Sequence, residues 1–289
     1  MKVAIVTDSN SGITQKEAQE LGIFIVPMPF LINDEEYFED INLTQESFYE
    51  KLLAGATVST SQPNANSVAE LWESILKDYD EIVHIPMSGG LSASVETAKH
   101  IAEQFNGKVF VVDNHRISVT LRCTVLDALK MANEGKSASE IKDWLEETQY
   151  DSSIYIMLST LKYLKKGGRI TPAAAALGTL LKIKPVLTIQ GDKLDKFAQV
   201  ISTKQGKNKM IDQVSKEIET RFKDIHSQGK FKVFIAYTKD LDKALEFKKE
   251  AEVMLKKHNL EVELVNPLSL SVACHIGEGA IAIACSRVY

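Results

Sequence analysis

The chain of 289 residues carries 34 Lys+Arg against 39 Asp+Glu, with 44% hydrophobic and 25% charged residues, the balance of an ordinary globular protein. No apolar run approaches the roughly 18 residues of a membrane span, and the N-terminal MKVAIVTDS lacks the apolar core and cleavage site of a signal peptide. Three cysteines without metal-type spacing, Cys123, Cys274 and Cys285, point to a reducing cytoplasm.

In chain order, short β-branched runs alternate with helical spacing. Val3–Thr7 reads as a strand, Thr14–Leu21 as a helix, and Ile23–Leu31 as a second strand region interrupted by Pro27 and Pro29. Gln45–Ala54 and Val68–Leu76 are amphipathic helices, the latter preceded by the turn-rich run Ser59–Ser67. Ile82–Pro86 and Val109–Val112 are strands; Ser92–Gln104, Val119–Asn133 and Ala138–Thr148 are helices. This alternation predicts βαβ units and a parallel sheet. Beyond residue 150 the pattern changes. Ile154–Leu158 is a strand, Leu161–Arg169 a basic helix and turn, and Ala173–Leu181 a small-residue helix. Pro185–Gln190 and Lys193–Val200 form a hairpin across Gly191-Asp192. Helices over Lys207–Ser227 and Lys243–Lys257 then alternate with strands at Lys232–Tyr237, Glu261–Val265 and Ile281–Cys285. The expected fold is therefore α/β, a parallel-sheet domain over 1–152 followed by a mixed-sheet domain over 153–289. Charge supports the division: residues 1–150 hold 11 basic and 24 acidic side chains, the remainder 23 and 15. The basic half spaces its lysines along helices (Lys243, Lys248, Lys249, Lys256, Lys257), which suits a solvated face better than nucleic-acid binding.

Four segments carry candidate chemistry. Ser59-Thr60-Ser61 places three hydroxyls before a helix, as caps or as ligand donors. Pro86-Met87-Ser88-Gly89-Gly90-Leu91-Ser92 is a strand, a glycine turn and a helix start, an arrangement that gathers N–H donors for an anion, with Ser88 and Ser92 as added hydroxyls. Lys165-Lys166-Gly167-Gly168-Arg169 is either a helix stop or a basic turn whose arginine reaches a carboxylate, a phosphate or an acidic partner. His275 lies beside Gly277 and Gly279, where a ligand can approach the backbone, and can donate to a carboxylate. No nucleophile elbow, Walker loop or metal-ligand spacing occurs.

Taken together, IVTDSNSGI, STSQP, PMSGGLS, KKGGRI and HIGEGA resemble, in order and spacing, the DegV family, the fatty-acid-binding subunits of the bacterial fatty acid kinase. The resemblance spans essentially the whole chain. It implies two α/β domains with a lipid tunnel between and within them, and one long-chain fatty acid (palmitate, stearate or oleate) as ligand, with no cofactor and no metal. It implies that Thr60 or Ser61, Ser92 and His275 contact the carboxylate, with Ser88 and Gly89 of the glycine turn beside them. Arg169, with Lys165 and Lys166, would dock a separate ATP-dependent kinase subunit. By the resemblance, that subunit would convert the bound acid to an acyl phosphate for phospholipid synthesis, while the lipid-binding chain would not itself be a catalyst and could contact membranes transiently. The chain departs from the family pattern at Ala93-Ser94-Val95 and at Glu278, where Pro is usual, which leaves acyl-chain preference open. The runs Phe24–Leu31, Ala173–Leu181 and Ala280–Ala284 are candidate tunnel lining. A competing reading is a stand-alone phosphotransferase or hydrolase built on Ser88–Ser92, with Asp8 as the available carboxylate.

Overall fold

The computed structural model describes residues 1–179 and 183–289. A four-stranded, all-parallel sheet is built from Phe24–Val26, Val3–Asp8, Glu81–Ile85 and Val109–Val111, in that spatial order. A six-stranded mixed sheet comes from Asp195–Val200, Lys184–Ile189, Ser152–Met157, Ile281–Arg287, Phe231–Tyr237 and Val262–Pro267, again in spatial order. Only its last pair is parallel. The α/β class and the two sheet types are those the sequence pattern predicts.

Strand alternation feeds separate cores. Ala4 and Val6 pack with Trp72, whereas Ile5 turns to the other face. In Ile281–Arg287, Ile283 and Cys285 face helix Thr203–Glu219, while Ala282 and Ala284 join the same cluster as Ile5. That cluster lies between the two sheets and takes in one face of helix Ser118–Asn133, which contacts strands of both. Helix ends follow local rules: Thr14 accepts from the Glu17 N–H, and Ser137 with Glu140 makes a capping box.

Several elements differ from expectation. Pro27 and Pro29 do more than interrupt one strand, because neither can donate to a ladder. Phe24–Val26 stays in the parallel sheet, and Phe30–Ile32 leaves it to form an antiparallel sheet with Glu35–Tyr37 and Val58–Thr60. Thr60 is thus a strand residue, and helix Ala65–Ile75 is capped by Asn64 instead. The helix expected over Lys207–Ser227 breaks into Thr203–Glu219 and Lys223–Ser227. Over Ala173–Leu181 the structure shows one helical turn, Pro172–Ala175, and a 3-10 turn, Ala176–Thr179; Leu180 and Leu181 lie outside the described residues. Helix Leu270–Ile276 was not anticipated.

His84 illustrates a cost the parallel sheet carries. It is buried against the Trp72 ring, and neither ring nitrogen has a hydrogen-bond partner among the described residues. Burial pushes its pKa down to about 3, so the folded ring is neutral while the unfolded one protonates near 6.5. Its contribution to stability is complete above pH 6.5 and is lost as pH falls towards 3. His84→Leu is expected to lose stability less steeply on acidification, by up to about 1.4 kcal/mol per pH unit. Urea midpoints of both proteins at pH 7 and pH 4.5 measure this.

Candidate functional site

Between the two sheets the central cluster opens into a cavity of about 310 Å³. Its apolar wall is supplied by Ile154, Ile156 and Ile189 of the mixed sheet and by Ile117 and Val119 at the start of helix Ser118–Asn133. Of the runs expected to line a tunnel, Met28 and Ala282 reach it; residues 173–177 do not. Its polar lining gathers Thr60, Ser61, Gln62, Ser92, Arg169 and His275. Among the described residues no Asp or Glu lines this cavity, and Arg169 is the one Lys or Arg that does.

Each polar group is set by its element. Strand Val58–Thr60 sends Val58 into an apolar cluster with Phe48 and Leu270. Two residues on, Thr60 Oγ1 meets His275 Nε2 at 2.9 Å. His275 occupies the last turn of helix Leu270–Ile276. Burial, assisted by the charge of Arg169, pushes its pKa down to about 4, so the ring is neutral at pH 7 and can donate or accept by choice of tautomer. Arg169 follows helix Lys162–Gly167, whose end is formed by Gly168 in the left-handed region (φ 69°). Its Nε donates to the Leu91 carbonyl at 3.1 Å and Nη1 to the Gly167 carbonyl, which leaves Nη2 without a partner among the described residues. Ser92 precedes helix Ser94–Ala102, accepts from the Ser94 N–H at 3.2 Å and shares a hydrogen bond with the Ser94 hydroxyl at 2.7 Å.

The glycine turn is used differently from the expected anion cradle. Ser88 is fully buried and its Oγ donates to the Gly191 carbonyl of the neighbouring hairpin. The Gly89 N–H donates to Asp113 Oδ1 at 3.1 Å, and the Ser92 N–H to the Ser88 carbonyl at 3.1 Å. Neither Ser88 nor Gly89 lines the cavity; their donors are spent fastening the turn to its surroundings. Asp8 is likewise committed. Its oxygens accept from the backbone N–H groups of Met87 at 2.7 Å and Asn10 at 2.9 Å, and burial raises its pKa to about 6.

A second chamber, of about 240 Å³, lies on the other side of the same polar wall. Thr60, Arg169 and His275 line both spaces. Lys162, Tyr163 and Lys166 line the outer one together with the segment 55–59, Gly167 and Cys274, and no carboxylate lines it among the described residues. Lys165 is exposed on the same helix and borders neither chamber. Among the described residues no group of three or more His, Cys, Asp or Glu is placed to hold a metal, and no helix is long and apolar enough to cross a membrane.

Four polar lining residues are not among the expected ones: Ser118, Ser271, Asn10 and Gln62. Asn10 lines the cavity, and its Oδ1 accepts from Ser269 at 2.8 Å and from Ser271. Gln62 lines it while accepting from Thr97 at 2.7 Å. Both stand inside motifs already singled out, Asn10 in IVTDSNSGI and Gln62 in STSQP.

Residues 2–288 match the sequence profile of the DegV family of uncharacterised proteins. The chain belongs to the DegV family. A DegV domain-containing protein of Deinococcus radiodurans is 29% identical over 285 residues, 98% of either chain. The fold is shared with the fatty-acid-binding DegV family protein of Thermus thermophilus (29% identity, all of both chains, TM-score 0.88). It is shared also with DegV of Bacillus subtilis, a fatty acid binding protein (26% identity, 99% of both chains, TM-score 0.83). The DegV architecture thus accounts for the two sheets.

Proposed function

We propose that this DegV protein binds one long-chain fatty acid in the inner cavity and presents its carboxylate, at the wall of Thr60, Ser61, Ser92, Arg169 and His275, to a separate ATP-dependent kinase subunit. The observation that carries this reading is the pair of chambers sharing Thr60, Arg169 and His275. An acyl chain with about 15 buried methylenes gains on the order of 12 kcal/mol in gross transfer free energy, and its carboxylate needs donors once out of water. The hydroxyls, the imidazole and Nη2 of Arg169 supply them. Assignment of fatty-acid binding to the related DegV proteins supports the ligand class.

In the proposed reaction the kinase works from the outer chamber, its docking face including Arg169, Lys166 and Lys165. A carboxylate oxygen attacks the terminal phosphorus of ATP, the bond from that phosphorus to the bridging oxygen breaks, and ADP leaves; the acyl phosphate then enters phospholipid synthesis. The chain itself contributes no catalytic group in this scheme, and the two α/β domains, 1–152 and 153–289, close around the lipid in the cytoplasm. Palmitate, stearate and oleate are the ligands to try first.

Protein purified from a bacterial host is expected to release a C14–C18 acid on extraction, read by mass spectrometry. A lipid-free preparation that takes up no added fatty acid rules the carrier reading out. Ser92→Ala and His275→Ala are expected to fold yet to cut acyl-phosphate formation with the kinase subunit by 10-fold or more, about 1.4 kcal/mol or greater; unchanged turnover removes them from the site. One contact favours a second reading. Thr60 and His275 form a hydroxyl–imidazole pair of the kind seen in hydrolases. However, His275 has no carboxylate bonded to its second nitrogen among the described residues, where the ring instead packs on Gly167. Ester hydrolysis by the isolated chain is the test, and absence of turnover is the expected result.

A further inference from the structure

We infer that Glu39 is a positioning residue for His275: it pins the amino end of helix Leu270–Ile276 so that the imidazole at the far end stays against Thr60. The ligand-binding part of this inference rests on the carrier reading above, and concerns a residue that reading does not use.

Helix Leu270–Ile276 has seven residues, far short of the length at which an isolated helix persists. Its position must come from tertiary anchors. Its own N-cap residue, Ser269, makes no capping hydrogen bond; that hydroxyl is turned to Asn10 Oδ1. The missing acceptor arrives from a segment 231 positions away: Glu39 Oε2 accepts from the Leu270 N–H at 2.7 Å. The other carboxylate oxygen accepts from Gln45 Nε2, which also donates to the Leu268 carbonyl at 3.1 Å. Glu39 therefore ties the chain on entry to the helix to the same small sheet and helix Gln45–Leu53 that carry Thr60 on their edge strand. Both partners of the Thr60–His275 contact are held in one frame, with Glu39 as a polar fastening.

The fastening has a charge state. Burial lifts the Glu39 pKa to about 7 against the N–H donors that hold it down. The titratable groups facing it are Asp40 on its own segment, Tyr49 on helix Gln45–Leu53 and Cys274 on helix Leu270–Ile276. None of these is a cation, so the ionised carboxylate is held by amide donors and by the positive end of a helix. The ionised form is the stronger acceptor. Protonation weakens the tie, and headgroup binding follows.

The test uses the full chain with Glu39→Gln and Glu39→Ala, palmitate displacing a fluorescent fatty acid between pH 6 and pH 8, and ¹H–¹⁵N NMR of the His275 imidazole without lipid. Wild-type affinity is expected to fall about fivefold or more from pH 8 to pH 6 as the charge-assisted hydrogen bond is lost. Glu39→Gln keeps an acceptor and is expected to bind with a flat profile over that range. Glu39→Ala is expected to shift the His275 resonances. A Glu39→Gln profile as steep as wild type overturns the inference, and so do His275 resonances unmoved in Glu39→Ala. If Glu39→Ala does not fold, the Glu39→Gln profile decides. Wild-type protein that binds no palmitate at any pH refutes the carrier reading, and the imidazole spectra still decide the role of Glu39.

Discussion

Gly167→Ala is expected to disable the headgroup site without removing a single polar group. A methyl at position 167 would overlap the His275 ring, with Cε1 at 2.7 Å and Cγ at 3.3 Å. The backbone at Gly167 is not in the left-handed region, so the conflict is contact alone and not strain. The imidazole is backed by helix Leu270–Ile276, which packs on Phe48 and Val58. Either His275 swings away from Thr60 or helix Lys162–Gly167 shifts, taking Arg169 with it. Overpacking of this kind costs roughly 1–3 kcal/mol, a modest loss for a domain this size, whereas the loss of headgroup geometry is expected to lower fatty-acid affinity by about 100-fold, or 2.8 kcal/mol. Titration with palmitate beside a melting curve separates the two; near-normal affinity with normal stability would show that the ring does not need its present place.

The second large effect falls on stability and leaves the site alone. Glu217 is buried in the layer between helix Thr203–Glu219 and the mixed sheet. Its Oε1 accepts from Ser153 at 3.1 Å, Tyr155 at 2.9 Å and Gln190 at 3.3 Å, and lies 3.6 Å from Arg221. Cys285 Sγ approaches the other oxygen at 3.5 Å. Glu217→Ala leaves the buried Ser153 and Tyr155 hydroxyls without their acceptor, while exposed Arg221 keeps the Tyr150 carbonyl and exposed Gln190 keeps Ser153 Oγ, a loss of about 2–3 kcal/mol. For a chain of this length that is a fall in Tm of roughly 5 °C. Glu217→Gln, which keeps one acceptor oxygen, should lose less. Calorimetry measures both, and fatty-acid affinity per folded molecule is expected to stay unchanged.

Much of this architecture is legible in the amino-acid order because its signals are local. Val3–Asp8, Glu81–Ile85 and Val109–Val111 announce themselves as short β-branched runs between helices, and parallel strands buried on both faces read that way. The Ser59–Thr60–Ser61 run, Ser92, Arg169 and His275 are visible as motifs, and the structure gathers Thr60, Ser61, Ser92, Arg169 and His275 around one cavity. What the residues do not announce is direction. Ser88 and Gly89 look like anion donors, yet they face the Gly191 carbonyl and Asp113. Long-range partnerships are equally silent. Asn10 with Ser269 spans 259 positions, and Glu39 with Leu270 spans 231; no window of sequence holds both partners. Helix Leu270–Ile276 is missed for the same reason, since its amino end is fastened from outside the segment.

The inner cavity also bears on how the protein keeps its shape. In a close-packed interior, a hole of about 310 Å³ forfeits contacts that a solid core would make. On the proposed carrier reading, a bound acyl chain would restore those contacts, so cargo and core would become one body of packed atoms, and the loaded protein would melt higher as the logarithm of free ligand over its Kd rises. Unloading would then be a partial loss of the protein's own interior, and such a carrier would be most durable while carrying.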